Sequence, residues 1–142
     1  MIKRTMIPVL FFLNSCATFE REVVDCPKLS SPKNAAEVIV NSENNLPVYL
    51  GFRGVKLLCF KNDDYISMVA SVNVRAIRKN FMLEDYVPVK LSIVSVDSKK
   101  KEYDRDDFFY SQFLLKGSNI VDRQTDLDLD IPNGGEVFLG VK

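Results

Sequence analysis

Three aspartates spaced two residues apart form the pattern in this sequence that best suits ligand binding or acid–base chemistry. Asp126, Asp128 and Asp130 alternate with apolar residues, namely Leu127, Leu129 and Ile131. On a β-strand, residues two positions apart lie on one face, about 6.7 Å from each other. Such a row of carboxylates suits a hard cation or acid–base work. A solvated strand face whose charges discourage edge pairing is the alternative, and we favour it.

The sequence contains few residues suited to other kinds of catalysis. The chain has no histidine, which excludes Ser–His and Cys–His arrangements and most zinc catalysis. Gly51-Phe52-Arg53-Gly54 lacks the spacing and the lysine of a phosphate-binding loop. Asp104-Arg105-Asp106-Asp107 begins like a calcium loop, but Phe109 replaces its glycine and Leu115 its glutamate. We therefore expect no enzyme, no cofactor and no metal site.

The N-terminus has the features of an export signal. Lys3 and Arg4 precede an apolar stretch from Met6 to Leu13. A basic start followed by a short apolar stretch is typical of a secretory signal. As a helix, eight residues cover only about 12 Å, against a hydrocarbon core of about 30 Å. The stretch is therefore too short to span a membrane.

Leu13-Asn14-Ser15-Cys16 closes this stretch and resembles the lipobox of bacterial lipoproteins. The resemblance implies a diacylglyceryl thioether on Cys16, cleavage after Ser15 and acylation of the new N-terminus. It places the protein in the bacterial cell envelope, facing the periplasm and attached to a membrane through lipid. Ala17, rather than aspartate, follows the cysteine, and by resemblance to better-known lipoproteins this favours the outer membrane. An ordinary signal peptide with an incidental cysteine is the alternative.

The mature chain is close to electrical neutrality. Cleavage after residue 15 removes two of the 19 basic residues and none of the 19 acidic ones, so the net charge becomes −2. That balance gives no indication of a nucleic-acid partner. We expect three segments: a signal peptide over 1–15, a lipidated cysteine with its tether over 16–34, and one domain over 35–142.

Cys26 and Cys59 remain once Cys16 carries lipid. An even pair of cysteines in an oxidising envelope compartment predicts a disulfide between them. Two buried free thiols are the alternative. Two cysteines without close spacing do not make a zinc site.

Alternating hydrophobicity predicts an all-β domain. Tyr65–Ile77 places its apolar residues on one face and polar ones on the other, and Val87–Ile93 and Leu127–Ile131 repeat this pattern. The sequence PNGG at 132–135 predicts a turn before a last strand at 137–141. Weaker strand candidates are Glu37–Val40, Val48–Phe52, Val55–Phe60 and Phe108–Leu115, with a loop at 78–85. Seven or eight short strands indicate an antiparallel β-sandwich.

A second resemblance rests on several of these strands. Cys26-Pro27, Cys59-Phe60 before an Asp-containing turn, YVPVKLSIVSVD and the closing EVFLGV are similar to a family of alphaproteobacterial envelope lipoproteins. The resemblance implies an immunoglobulin-like sandwich and a bond between Cys26 and Cys59. The chain ends at Val141-Lys142 without the polar tail typical of that family. The family supplies no established activity.

Two classes of function follow from these observations. The first is a non-enzymatic structural or interaction role with an envelope protein partner, contacted through an outward aromatic of Phe108-Phe109-Tyr110 or Phe113, or through a strand edge near Pro88. The second is a binding module for a small ligand, peptidoglycan or a metal at the Asp126/Asp128/Asp130 face. Lys99 to Lys101 contact lipid head groups or form a solvated hairpin tip, and we favour the tip.

Overall fold

The computed structural model describes residues 21–142. The proposed signal peptide and Cys16 lie outside the described residues. Within them the chain forms nine strands and one short helix, in the order β1 (Val23–Val24), β2 (Leu29–Ser30), α1 (Lys33–Ala36), β3 (Glu37–Asn41), β4 (Pro47–Lys61), β5 (Tyr65–Ile77), β6 (Asp85–Val96), β7 (Glu102–Leu114), β8 (Ile120–Pro132) and β9 (Glu136–Val141). None of the helices found in residues 21–142 has the length and apolarity needed to cross a membrane.

The strands form two sheets that face each other, so the predicted all-β sandwich is confirmed. The larger sheet has the order β1-β4-β5-β8, and β3 pairs with β4 beside β1. The smaller sheet has the order β2-β9-β6-β7, in which β2 and β9 are parallel. The predicted PNGG turn joins β8 to β9, and Gly134 adopts a φ of +74° there. Glycine suits that left-handed backbone because it lacks a Cβ.

The core lies between the two sheets and follows the period of two in the sequence. On β5 the residues Met68, Ala70, Val72, Val74 and Ala76 are buried as predicted. On β8 the residues Leu127, Leu129 and Ile131 are buried, and the three aspartates between them are exposed. Burial of these apolar side chains between the sheets supplies the main driving force for the fold.

Some boundaries differ from those expected from the sequence. Val48–Phe52 and Val55–Phe60, predicted as two strands, form the single strand β4 with a register shift between Phe52 and Gly54. A β-bulge accounts for this, because it interrupts the alternation of side chains without ending the strand. The helix α1 forms where irregular chain was expected, and the N–H groups of Ala35 and Ala36 donate to the carbonyl of Pro32.

The predicted disulfide is present between Cys26 and Cys59, with a Cα–Cα distance of 5.3 Å. Cys59 lies on β4 opposite Val24 of β1. The bond therefore attaches the segment that follows β1 to the strand beside it. Both cysteines pack against the core of the sandwich.

The sandwich has two distinct ends. At the N-terminal end, β1 meets the end of β4 at Phe60, Tyr65 pairs with Pro132, and the β6–β7 hairpin turns at Lys99–Lys101. At the far end, Ile77 pairs with Ile120, and the loop 79–84 packs beside the turn 115–119. The thirteen residues of β5 join the two ends, and at about 3.3 Å per residue they span roughly 40 Å.

Candidate functional site

The outer face of the smaller sheet carries an exposed group of aromatic residues. Along β6 and β7 alternate side chains point away from the core, and those near the far end are large. We call Tyr86, Pro88, Lys90, Phe109 and Phe113 the aromatic face. The β6–β7 register places Tyr86 opposite Phe113 and Lys90 opposite Phe109. The face is therefore one continuous surface built from both strands.

Contacts between paired side chains hold this surface together. The rings of Tyr86 and Phe113 lie 5.1 Å apart between centroids, within the range in which aromatic pairs attract each other. The Lys90 ammonium lies 5.7 Å from the centre of the Phe109 ring, which permits a cation–π contact. Phe109 is 63% exposed. A large apolar ring this accessible to water is a candidate contact for a partner.

The two neighbours of Phe109 point to the other side of β7. Tyr110 packs against the core, and the Arg123 guanidinium of β8 lies 4.1 Å from the centre of its ring. Burial raises the pKa of Tyr110, which nearby Arg123 partly offsets. Phe108 lies 5.7 Å from Tyr110 between ring centres. Phe109 and Phe113 are therefore the two aromatic residues predicted from the sequence on β7 that belong to the aromatic face.

The Asp126/Asp128/Asp130 face lies on the outside of the larger sheet, on its edge strand β8. Asp126 accepts a hydrogen bond of 2.6 Å from the Ser71 hydroxyl, and Asp130 one of 3.3 Å from the Ser67 hydroxyl. Both serines are on β5, directly opposite these aspartates. In residues 21–142 no group of three or more acidic, histidine or cysteine side chains has a geometry that holds a metal ion. The three aspartates thus form an exposed row, in which Asp126 and Asp130 bond to serines of β5.

The three lysines lie at the tip of the β6–β7 hairpin. Asp97 accepts hydrogen bonds from the N–H groups of Lys99 and Lys101, at 2.8 and 3.0 Å. Lys100 adopts a φ of +65° and forms an ion pair of 2.6 Å with Glu136. The tip is exposed and lies at the N-terminal end of the sandwich, the same end at which β1 pairs with β4.

Arg78, which the sequence places in a predicted loop, organises the far end of the sandwich. Arg78 is 6% exposed, and its guanidinium donates hydrogen bonds to the carbonyls of Leu83, Leu114, Leu115 and Ser118. These carbonyls belong to the loop 79–84, to the last residue of β7 and to the chain between β7 and β8. Arg78 therefore fixes the apolar tip of the loop, where Phe81, Met82 and Leu83 are exposed.

Asp85, another buried charged residue, begins β6 and holds the β3–β4 turn in place. Its carboxylate accepts hydrogen bonds from the N–H groups of Tyr86 at 2.8 Å and Asn44 at 3.3 Å. Burial alone would raise the pKa of Asp85. Hydrogen bonds from Ser42, Tyr86 and Asn44, with the nearby charge of Arg78, instead hold that pKa below its ordinary value of 3.8.

The larger sheet carries a second apolar surface, which the sequence does not predict. Four exposed residues stand opposite one another across four strands of the larger sheet, close to the far end. We call Ile39, Tyr49, Ile77 and Ile120 the apolar row. Each belongs to a different strand, so no local pattern reveals the row. The alternation along Glu37–Asn41 signals only that Ile39 faces away from its neighbours Val38 and Val40.

No family model, no curated protein and no solved structure matches this chain. The immunoglobulin-like assignment and the resemblance to envelope lipoproteins therefore stay predictions from the sequence.

Proposed function

We propose that the chain is a membrane-anchored lipoprotein of the bacterial envelope with a non-enzymatic structural or protein-interaction role. Lipid on Cys16 holds it at the membrane, facing the periplasm, with the outer membrane as the favoured location. The aromatic face contacts an envelope protein partner. The exposure of Phe109 within a continuous aromatic surface is the observation that carries the interaction part of this proposal.

The two ends of the sandwich support the orientation. The chain enters the domain at the end that also carries Lys99 to Lys101. Lys100 is paired with Glu136, so Lys99 and Lys101 are the two lysines of this tip that each contribute about 1 kcal/mol of attraction near an anionic membrane surface. Because β1 begins at Val23, the tether that follows Cys16 has at most six residues, 17–22, and reaches only about 12–15 Å if it is flexible. The N-terminal end thus faces the membrane, and Tyr86 and Phe113 of the aromatic face lie towards the opposite end.

Replacing Cys16 with serine tests the anchor. In fractionated cells we expect the variant to leave the membrane fraction and to lose the mass of the acyl chains, because acylation of Cys16 supplies the attachment. The unmodified chain is the control. A variant that stays membrane-bound with an unchanged mature mass contradicts the lipoprotein assignment.

Charge substitutions test the aromatic face. We expect Phe109→Lys to abolish cross-linking to an envelope protein in intact cells, because a charge there disrupts apolar packing with a partner. Tyr103→Lys is the matched control, since Tyr103 is an exposed outward residue on the same strand at the other end. Equal cross-linking in both variants shows that the aromatic face does not bind the partner.

Lengthening the tether tests whether proximity to the membrane matters. A flexible Gly/Ser insert of about thirty residues raises the reach to roughly 35 Å. We expect it to weaken partner cross-linking in cells. If this insert and Phe109→Lys both leave envelope integrity and cross-linking unchanged, a ligand-binding module at the Asp126/Asp128/Asp130 face becomes the better hypothesis. Calcium-dependent melting of the chain then tests that module.

A further inference from the structure

The outer edge of β3 is the open edge of the larger sheet. Among residues 21–142, β3 pairs with β4 alone. Its sequence, Glu37–Asn41, contains no lysine or proline, the residues that commonly protect an edge strand. Ile39 at its centre is 70% exposed, more than any other large apolar residue described. An edge of this kind is a template for pairing with another strand.

The hydrogen-bond pattern shows which backbone groups point outward. Ser42 donates its N–H to Leu46 in the turn that joins β3 to β4, and Asn41 stands opposite Pro47, which has no N–H. In an antiparallel pair, bonded and non-bonded positions alternate. Val40 and Val38 are therefore bonded to β4, and the N–H and C=O groups of Glu37, Ile39 and Asn41 point away from it.

The sequence of β3 is nearly symmetric about Ile39. We propose that β3 pairs antiparallel with β3 of a second copy across a two-fold axis at Ile39, so that the chain forms a homodimer. In this register Ile39 meets Ile39, Val38 meets Val40, and Glu37 meets Asn41. Carboxylate and amide side chains are compatible neighbours, and no like charges stand opposite each other.

This register also satisfies the open backbone groups. Glu37, Ile39 and Asn41 all face the second copy, and each position forms a hydrogen-bonded pair there, which makes about six backbone bonds in total. Such a contact is isologous, since the same surface serves both copies. Five residues make a small interface, and we expect the dimer to dissociate on dilution.

The apolar row continues through the proposed interface. Within one copy it runs from Ile120 through Ile77 and Tyr49 to Ile39, which ends it at the open edge. Pairing of β3 with β3 places the Ile39 side chains side by side and joins the two rows. The Tyr49 ring lies over Gly51, where an added Cβ would lie 2.9 Å from the Tyr49 hydroxyl. Its hydroxyl donates to Glu37, which ties β4 to β3 two residues before Ile39.

The other edge of the same sheet explains why the second copy uses β3. On β8 the N–H groups of Asp128 and Asp130 donate to the carboxylates of Asp106 and Asp104, at 2.9 and 2.8 Å. The Asp130 carbonyl accepts from the Ser95 hydroxyl at 2.6 Å. Side chains from the smaller sheet thus occupy three outward backbone groups of β8, at Asp128 and Asp130 in its C-terminal part.

The test uses two differently tagged copies of the full-length chain, co-expressed and extracted in mild detergent. We expect the unmodified copies to co-purify. Ile39→Lys in both copies, or Ile39→Glu in both, should abolish co-purification, because like charges then meet at the two-fold axis. One copy with Ile39→Lys and one with Ile39→Glu should restore it. This restoration also shows that both variants fold.

Ile120→Lys in both copies is the matched control, since it places the same charge at the other end of the apolar row; we expect it to leave co-purification unchanged. In intact cells, Ile39→Cys should give a bismaleimide cross-link at twice the monomer mass, and Ile120→Cys should not.

The proposal is wrong if unmodified copies do not co-purify and the Ile39→Cys variant gives no cross-linked dimer. It is also wrong if the Lys/Glu combination fails to restore pairing, or if Ile39→Cys cross-links only to a different protein. The test does not depend on the lipid anchor or the aromatic face.

Discussion

The two edges of the larger sheet are protected very differently. β8 has thirteen residues, and two of its outward N–H groups are bonded to Asp104 and Asp106 of β7. β3 has five residues, and in the described part of the chain it pairs with β4 alone. The charges on β8 itself, at Asp126, Asp128 and Asp130, lie on the outer face and do not cover its edge. Protection of that edge comes from the neighbouring sheet, so it is a property of how the two sheets pack.

The largest effect should come from Arg78, which fixes the chain that leads into β8. We expect Arg78→Met to lower the free energy of unfolding by at least about 3 kcal/mol, because four carbonyls lose a charged donor and buried carbonyls without partners are costly. Urea denaturation measures this loss. The control is Arg75→Met on β5, three residues before Arg78, where the guanidinium forms an ion pair with Asp122 on the outer face of the sheet. If Arg78→Met lowers the free energy of unfolding no more than Arg75→Met does, the hydrogen bonds of the buried Arg78 contribute little to stability.

The disulfide secures the opposite side of the sheet, where β1 and β3 both pair with β4. Cys26 and Cys59 are separated by 33 residues, and closing a loop of that length stabilises the folded state by up to about 3.7 kcal/mol in the chain-entropy estimate. We expect the Cys26→Ser/Cys59→Ser variant to lose most of this in guanidinium denaturation. A reductant should destabilise the unmodified domain and leave the variant unchanged. A reductant that affects both equally argues against the bond.

Opening the β8 edge tests the comparison directly. Asp104→Ala or Asp106→Ala removes the acceptor of one β8 N–H group, and we expect each to cost about 1 kcal/mol, since the carboxylates are only partly buried. Hydrogen exchange at Asp130 in the first variant and Asp128 in the second should become about fivefold faster. Asp107→Ala is the control, because Asp107 lies on the outer face of β7 beside Arg105. Unchanged exchange would mean that other contacts close this edge.

The smallest effect concerns acid and the turn beside β3. The pKa of Asp85 is held below its ordinary value of 3.8 in the folded state, so its ionised form favours folding. This contribution is complete above pH 3.8 and disappears as the pH falls through the lowered pKa. We expect stability to fall over that range, with faster exchange at the Asn44 amide. The Asp85→Asn variant should be less stable at pH 7, and its stability should depend less on acid pH. If its stability falls with acid as much as that of the unmodified chain, other carboxylates cause the acid dependence.

The sequence predicted part of the candidate site for a simple reason. Alternation along a strand decides which side of a sheet each residue faces, so consecutive aromatics at 108–110 predict that at least one ring points outward. The structure shows that this ring is Phe109. The same rule predicted the outward Asp126, Asp128 and Asp130. Alternation did not show that Tyr86 contacts Phe113 or that Lys90 contacts Phe109, because those contacts depend on the β6–β7 register.

What the sequence by itself determined was the all-β class, the buried face of β5 and the exposed face of β8, since each depends on a period of two within one segment. The pairing of Cys26 with Cys59 also followed from the sequence, given export of the chain. Tertiary structure alone decided that Ile39, Tyr49, Ile77 and Ile120 form one row and that Arg78 is buried. It also decided that side chains of the smaller sheet cover β8 at Asp128 and Asp130, while β3 pairs with β4 alone. These features need residues far apart in the chain to meet, and only the register of the strands and the packing of the sheets bring them together.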